Sequence, residues 1–521
     1  MTNLLWTLVF LQVATGGFDT LYHHELTERL AWRPSQAGEL KLHGVRNLAY
    51  AVMFTALGWS RPQGASAWAL IALMIGELVI TLWDFVEEDR TRKLPATERI
   101  THTLLTLNYG VVLAALIPLL VRWAAQPTAI VQAYYGPWSW LCAIASVGVI
   151  VSGLRDLAAA DRTSRITSAP AGPLAASLKT AHRVLVTGGT GLIGRRLVEA
   201  LVIAGHDVTV LTRARAHAAG LPAPLRLVTS LDQIADDTRI DAIVNLAGEP
   251  ISDGLWTRHK RGRILRSRLR VTRAIVALTG RLHSRPSVLI SGSAIGWYGL
   301  RGAEALDETA DGADCFSRRL CVRWEDAAKA ATNLGVRVVR LRTGLVLAAE
   351  GGMLSRMLTP FEFGLGGPFG DGKHWMSWIH RDDLVRLIVH AIATPDLAEV
   401  VNGVAPEPVT NRSFATALGD ALGRPAILPA PAAPLRLALG DFANELLLSG
   451  QRVVPAAAMN SGFRFTYPDL TGALDAIVGG RRGGLLGRLI TPLHRRVHAQ
   501  PLSSNLLGGD PSGVTKALPR R

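Results

Sequence analysis

The chain has 521 residues, with 56 lysines and arginines against 41 aspartates and glutamates, a formal charge of +15. Only 19% of residues are charged and the mean hydropathy is +0.23, so apolar residues must be concentrated in one part of the chain, and two or three domains are expected. The arginines are dispersed without interleaved aromatics, which argues against a nucleic-acid partner, and Cys142, Cys315 and Cys321 match no zinc spacing or disulfide framework.

The first third holds the apolar residues. Five segments stand out: Leu4–Gly17, Val45–Trp59, Ala65–Trp83, Thr103–Trp123 and Tyr134–Leu154. Three approach the roughly 20 residues needed to cross hydrocarbon. The first two are shorter, and each is either extended by a turn or tilted at the interface. The first lacks a basic leader and a cleavage site, so it is expected to remain. Residues 1–157 thus predict an all-α transmembrane bundle of about five helices. Arg29, Arg33, Lys41, Arg90, Arg92, Lys93, Arg99, Arg155, Arg162 and Arg165 fall on one side of it. The alternate loops, 60–64 and 124–133, hold only Arg61. This asymmetry predicts a multi-pass protein of a bacterial-type inner (plasma) membrane, N-terminus outside and the larger C-terminal part cytoplasmic. Trp6, Trp59, Trp83, Trp123 and Trp138 near segment ends fit an interfacial belt.

Histidines and carboxylates gather at the proposed cytoplasmic face. Asp19, His23, His24, Glu25 and Glu28 follow the first segment, and His43 opens the second. Glu77 lies inside the third, where a carboxylate is costly and needs a partner. Glu98 and His102 are four residues apart, on one face of a helix. His23, His43, Glu77, Glu98 and His102 are the candidate ligands for a metal ion, or for haem, in the membrane domain. The competing reading is a set of interfacial polar residues paired with the nearby arginines.

Ala158–Ala181, rich in Ala, Ser, Thr and Pro, predicts a flexible linker (158–182). From residue 183 strand and helix patterns alternate, the signature of a doubly wound parallel sheet of the Rossmann type (183–423). The strand Arg183–Val186 runs into Gly188, Gly191 and Gly194, then an amphipathic stretch Arg195–Ala204 and a second strand Asp207–Leu211. In such a turn the first glycine allows the tight bend and the second a close approach to a pyrophosphate. The third lets helix and strand pack, and the helix N–H groups face the phosphates. Gly188, Thr190, Gly191, Leu192, Ile193 and Gly194 are therefore the predicted dinucleotide cradle. Arg213, just past the second strand, replaces the acidic residue that would accept NAD ribose hydroxyls and suits a 2′-phosphate, so NADP(H) is the expected cofactor. An ordinary surface arginine is the alternative. Ala247 and Gly248 end the strand Asp241–Gly248 at the same sheet edge, and Ser291–Ser293 end the next.

TGGTGLIG, NLAGEPI, SGSAIGWYG, LCVRWE, LRTGLVL, GLGGPFGDGKHWMSWIHRDD and GFRFTYPDL occur in that order. Together they resemble the epimerase-like family of atypical extended short-chain dehydrogenase/reductases, over about Arg183–Val478. The resemblance implies a catalytic Ser or Thr, a Tyr acid/base, and a Lys four residues after the Tyr. Ser293 matches the serine. Counting back from Glu325, Ser317 and Cys321 occupy the Tyr and Lys positions, and neither does that work in the usual way. Tyr298 is the candidate replacement acid, Lys260 or Arg268 the candidate cation for an acidic substrate, and Lys373, His374 and His380 lie in the Gly-rich loop and strand over the expected pocket. His380 before Asp382–Asp383 also reads as a helix cap. The resemblance further implies a small α+β C-terminal extension on the substrate side (424–478). A basic tail follows (479–521), either disordered or with an amphipathic helix at Leu485–Arg496. The sum is a membrane-anchored NADP(H) oxidoreductase or epimerase-like protein acting on a small carbonyl or nucleotide-linked substrate, with homo-oligomers allowed. A non-catalytic NADP(H) sensor or scaffold, and an NADPH-fed redox unit with a membrane metal, are the alternatives.

Overall fold

The structure, a computed structural model, describes residues 2–92, 94–166 and 169–479. Five helices form the N-terminal bundle: α1 (Asn3–Phe18), α2 (Ala37–Trp59), α3 (Ala65–Thr91), α4 (Ala96–Ala124) and α5 (Pro137–Arg165). Four stretches, Asn3–Trp32, Ala65–Thr91, Ala96–Ala124 and Pro137–Ser164, are long and apolar enough to cross a membrane. Their outward faces leave Phe10, Trp68, Val79, Leu107 and Ile144 exposed. α2 starts two turns before the predicted Val45, because the charged groups of its first turns find buried partners. Glu39 pairs with Arg92 at 2.8 Å and His43 with Asp84 at 3.0 Å. Beyond α1 the chain winds into a π-helix, Asp19–Glu28. At the far end of the bundle Ser60–Gln63 and Ala129–Gln132 form an antiparallel ribbon. Trp6 is buried there, stacked on Trp138 at 6.0 Å.

The α/β part holds one seven-stranded parallel sheet: β1 (Arg183–Thr187), β2 (Asp207–Leu211), β3 (Arg226–Val228), β4 (Ala242–Asn245), β5 (Val288–Ala294), β6 (Arg337–Thr343) and β7 (Glu399–Gly403). The order is β3-β2-β1-β4-β5-β6-β7, so the winding reverses between β1 and β4. Val184–Val186, Ala242–Val244 and Val288–Ile290 are fully enclosed, as expected of strands covered on both faces. α6 (Leu192–Ile203) covers one face; α7 (Arg258–Arg281) and α8 (Phe316–Lys329) cover the other. α9 (Gly352–Glu362) and α10 (Arg381–Ala393) follow β6, and α10 shares the α6 face.

Two stretches of the segment expected to be a flexible linker are built into the fold. α5 continues to Arg165, and the turn Gly172–Ala175 buries Leu174 and Ala175 in the core beneath α6 and α10. Its few apolar residues anchor it, and composition hid them. The basic tail from residue 480, including Leu485–Arg496, lies outside the described residues.

Ion pairs close the junction between the bundle and the α/β part. Arg155 and Arg162 of α5 each donate to Glu362 of α9 at 2.8 Å, and Arg155 also grips Glu25 of the π-helix. Arg162 lies over the Trp32 ring at 3.8 Å. Burial alone would raise the Glu362 carboxyl, but the two guanidiniums outweigh it and hold it below the ordinary range. The helix Leu470–Val478 adds apolar contact, sharing one core with Trp32, Ala159 and Ala160. Glu362→Ala strands two guanidiniums and is expected to cost about 3 kcal/mol, read as a lower melting temperature in detergent. A depressed carboxyl contributes stability above its unfolded value and loses it as pH falls through the folded value. The melting difference between Glu362→Gln and the unmodified chain should therefore hold at neutral pH and shrink under acid; a difference that grows under acid contradicts the assignment.

Candidate nucleotide-binding site and its catalytic edge

The turn between β1 and α6 has the geometry its sequence demands. Gly188 has φ of +72°, and a Cβ there would come within 2.8 Å of the Ala247 nitrogen. The loops after β1 and β4 thus pack backbone to backbone at the point where the sheet order reverses. A Cβ on Gly194 would fall on the Gly188 carbonyl oxygen. Gly191 caps α6 with no side chain of its own, and the first helical bond runs from the Arg195 N–H to the Gly191 oxygen at 2.8 Å. The N–H groups of Leu192, Ile193 and Gly194 precede that bond and have no intrahelical acceptor. A turn only glycine can make, ending in unpaired donors, fits a pyrophosphate. Thr190 lies in this turn, and Arg213 is exposed just past β2. Beneath it, Thr187 donates to Asn245 at 2.7 Å and Asn245 to Thr272 at 2.9 Å, which ties β1, β4 and α7 together.

Gly248 lies against Arg268; a Cβ there would sit 3.1 Å from the guanidinium carbon. Arg268 donates to the Glu249 and Ile264 carbonyls at 3.0 and 3.1 Å. Lys260 bonds Glu249 at 3.0 Å, as does Arg263 at 2.6 Å. Both candidate substrate cations, Lys260 and Arg268, therefore hold the loop after β4.

At the end of β5, Ser293 donates to Glu325 at 2.7 Å. Arg342 forks onto the same carboxylate at 2.9 and 3.0 Å and stacks on Trp297 at 3.5 Å. Ser317, Cys321 and Glu325 lie four residues apart on α8 and are all buried. Ser317 donates to Glu445 at 2.6 Å, and Glu445 also accepts the N–H groups of Phe316 and Ser317, capping α8 from the C-terminal extension. Burial, with the Glu325 charge second, pushes the Cys321 thiol up to about 12. Glu325, Arg342 and Glu445 were not singled out in the sequence. The available signal was the four-residue spacing, which puts Glu325 on the Ser317–Cys321 face.

Tyr298 does not fill the role of replacement acid. It is fully buried, and its hydroxyl donates to Asn402 at 2.8 Å. His380 caps α10, its Nδ1 accepting the Asp382 N–H at 3.1 Å, and burial drives it down to about 4. His374 is half-buried and Lys373 lies in the exposed turn after Asp371.

In the bundle, the five proposed metal ligands separate. His43, Glu98 and His102 reach one buried cluster with Asp19, His24, Glu39 and Glu88. His23 is spent on both nitrogens, with Asp19 at 2.8 Å and Thr97 at 3.3 Å. Glu77 lies about two turns from Asp84 along α3, where it accepts from Thr81 at 2.7 Å. Seven residues along a helix keep the face but not the depth.

A thiol held mostly protonated reacts slowly. With iodoacetamide at pH 8, Cys321 should stay unmodified in the folded chain and label on unfolding, read by peptide mass spectrometry. Rapid labelling of Cys321 in the folded chain contradicts the geometry above.

A model of the NAD dependent epimerase/dehydratase family matches residues 184–402, and a domain of unknown function, DUF1731, matches 430–477. The chloroplastic epimerase family protein SDR39U1 homolog of Arabidopsis thaliana is 40% identical over 302 residues, 57% of this chain and 86% of the relative. Epimerase family protein Mb2239 of Mycobacterium bovis is 39% identical over 291 residues, covering 56% and 96%. The crystal structure of human epimerase family protein SDR39U1 (isoform 2) with NADPH superposes with a TM-score of 0.52 at 34% identity, covering 57% of this chain and 99% of that one. With the glycine turn, the sheet order and the extension each in place, the chain belongs to the epimerase family of SDR39U1-like proteins, with DUF1731 as its C-terminal part.

Proposed function

We propose that this is a membrane-anchored, NADP(H)-binding oxidoreductase or epimerase-like enzyme acting on a carbonyl or nucleotide-linked substrate. The observation that carries it is the turn Gly188–Gly194, where three unpaired N–H groups open α6 and no Cβ obstructs a diphosphate. Arg213 stands exposed where an acidic residue would select NAD, and its charge suits a 2′-phosphate. Human SDR39U1, solved with NADPH, supports the same choice. Membrane anchoring is supported by the long apolar helices and their exposed outer faces. The cytoplasmic side for the α/β part is supported by the lysines and arginines gathered in alternate loops.

NADPH held in this turn would supply hydride; the chain's own contribution is position. Ser293, fixed by Glu325, presents its hydroxyl oxygen as an orienting group at the carboxyl end of β5. The Glu325–Arg342 pair takes the buried place next to it. A second reading, an NADP(H) sensor or scaffold, is favoured by one observation. Ser317 is engaged by Glu445 and Cys321 is held protonated, so neither side chain at the Tyr and Lys positions is a free acid.

Calorimetric titration and a turnover panel test these readings together. The detergent-solubilised chain should bind NADPH and oxidise it with one member of a set of carbonyls, quinones and nucleotide sugars. Tight binding with silence across the set transfers the assignment to the sensor. Arg213→Ala should weaken NADPH about tenfold, roughly 1.4 kcal/mol, and leave NADH affinity unchanged; equal weakening of both cofactors removes the 2′-phosphate reading.

A further inference from the structure

A second site lies in the bundle, at the end that meets the α/β part. The π-helix places Asp19 and His24 five residues apart, which is one turn of a helix with i→i+5 bonds, so both face inward. α4 brings Glu98 and His102, one α-helical turn apart, to the same point. The atoms that meet are nitrogen and oxygen lone-pair donors. His102 Nε2 is 3.2 Å from Asp19 Oδ2, and His24 Nε2 is 3.4 Å from that same oxygen. His24 Nε2 is also 3.6 Å from Glu98 Oε1. His24 is buried, and its Nε2 has no hydrogen-bond partner although it points into this group. A buried polar atom without a partner is costly.

The spacing has a coordination reading. An ion with four ligands at about 2.0–2.1 Å sets its ligand atoms roughly 3.3–3.4 Å apart, close to the 3.2 and 3.4 Å found here. Second partners are in place as well. His102 Nδ1 lies 3.4 Å from Glu88, a carboxylate behind a histidine. Glu98 borders the group with both oxygens held by Arg92, at 2.7 and 2.8 Å. Charge points the same way. Asp19, Glu88 and Glu98 converge here, and Arg92, the guanidinium among them, is shared with Glu39 at 2.8 Å. Buried carboxylates in excess of cations call for a further positive charge. Haem does not fit: the His24 and His43 rings are stacked with centroids 4.6 Å apart and leave no plane for a porphyrin.

We propose that Asp19, His24 and His102 bind one divalent first-row transition-metal ion, with the fourth position left to a non-protein ligand. Mixed imidazole and carboxylate ligands suit zinc, manganese or iron rather than calcium or copper(I). The site is distinct from the glycine turn and does not depend on which nucleotide binds there.

Elemental analysis by plasma mass spectrometry of the full chain, purified in detergent, should find about one equivalent of zinc, manganese or iron. Asp19→Asn and His24→Ala should each lower that content about tenfold or more, with circular dichroism and gel-filtration profiles unchanged. Full metal content in both variants overturns the site. Because a buried substitution can unfold a bundle, a second measurement uses the unmodified chain. Co²⁺ added to chelator-treated protein should produce d–d absorption that saturates near one equivalent and disappears on adding Zn²⁺. Metal-free protein that also gives no cobalt spectrum overturns the proposal, and the cluster is then an ion-pair network closed by protonated histidines.

Discussion

Glu362 stands between two guanidiniums that reach it from the last helix of the bundle. A carboxylate with little water around it must keep its cations in place, because separating any of the three leaves a bare charge in a poor solvent. That requirement turns a covalent tether into a fixed joint. Arg155 extends the joint to Glu25, and Arg162 extends it to Trp32 and the Ala31 carbonyl. The π-helix, α5 and α9 thereby share one set of charges.

The same constraint governs the carboxyl edge of β5. A Tyr and Lys pair would place a titrating phenol beside a mobile cation. This chain instead encloses a carboxylate, Glu325, between a serine hydroxyl and a forked arginine whose other side stacks on Trp297. Charge-assisted, forked hydrogen bonds of this kind fix the carboxylate's position. The extension domain completes the arrangement, because Glu445 satisfies the first N–H groups of α8 that a capping side chain would otherwise bind. Removing DUF1731 therefore leaves the Ser317 hydroxyl and the first N–H groups of α8 without Glu445.

Much of this was legible in one dimension. β2 runs over Asp207–Leu211 as its pattern predicts, and α6 begins three residues before the predicted Arg195 because Gly191 can serve as its cap. The five apolar segments became five helices, but their polar ends escaped: α3 runs on to Thr91, α4 starts at Ala96 and α5 runs on to Arg165. The start of α2 shows why, since Glu39 and His43 read as loop until Arg92 and Asp84 are found beside them. Tyr298 failed for a related reason. A phenol five residues past the serine that ends β5 is suggestive in sequence, but its partner, Asn402, comes from β7, more than a hundred residues away. The residues around the proposed metal divide along the same line: Glu98 and His102 are neighbours by helical period, whereas His24 becomes their neighbour only through a π-turn.

By itself, the sequence determined what short-range sterics and periodicity determine: a strand, a turn that only glycine can make, a helix opening on unpaired N–H groups, and helices long enough to cross a membrane. Tertiary structure alone decided which charges share a burial site. Coulombic pairing in a poor solvent acts across space and is blind to separation along the chain, so Glu325 with Arg342, Glu362 with Arg155 and Arg162, and Asp19 with His102 leave no local trace.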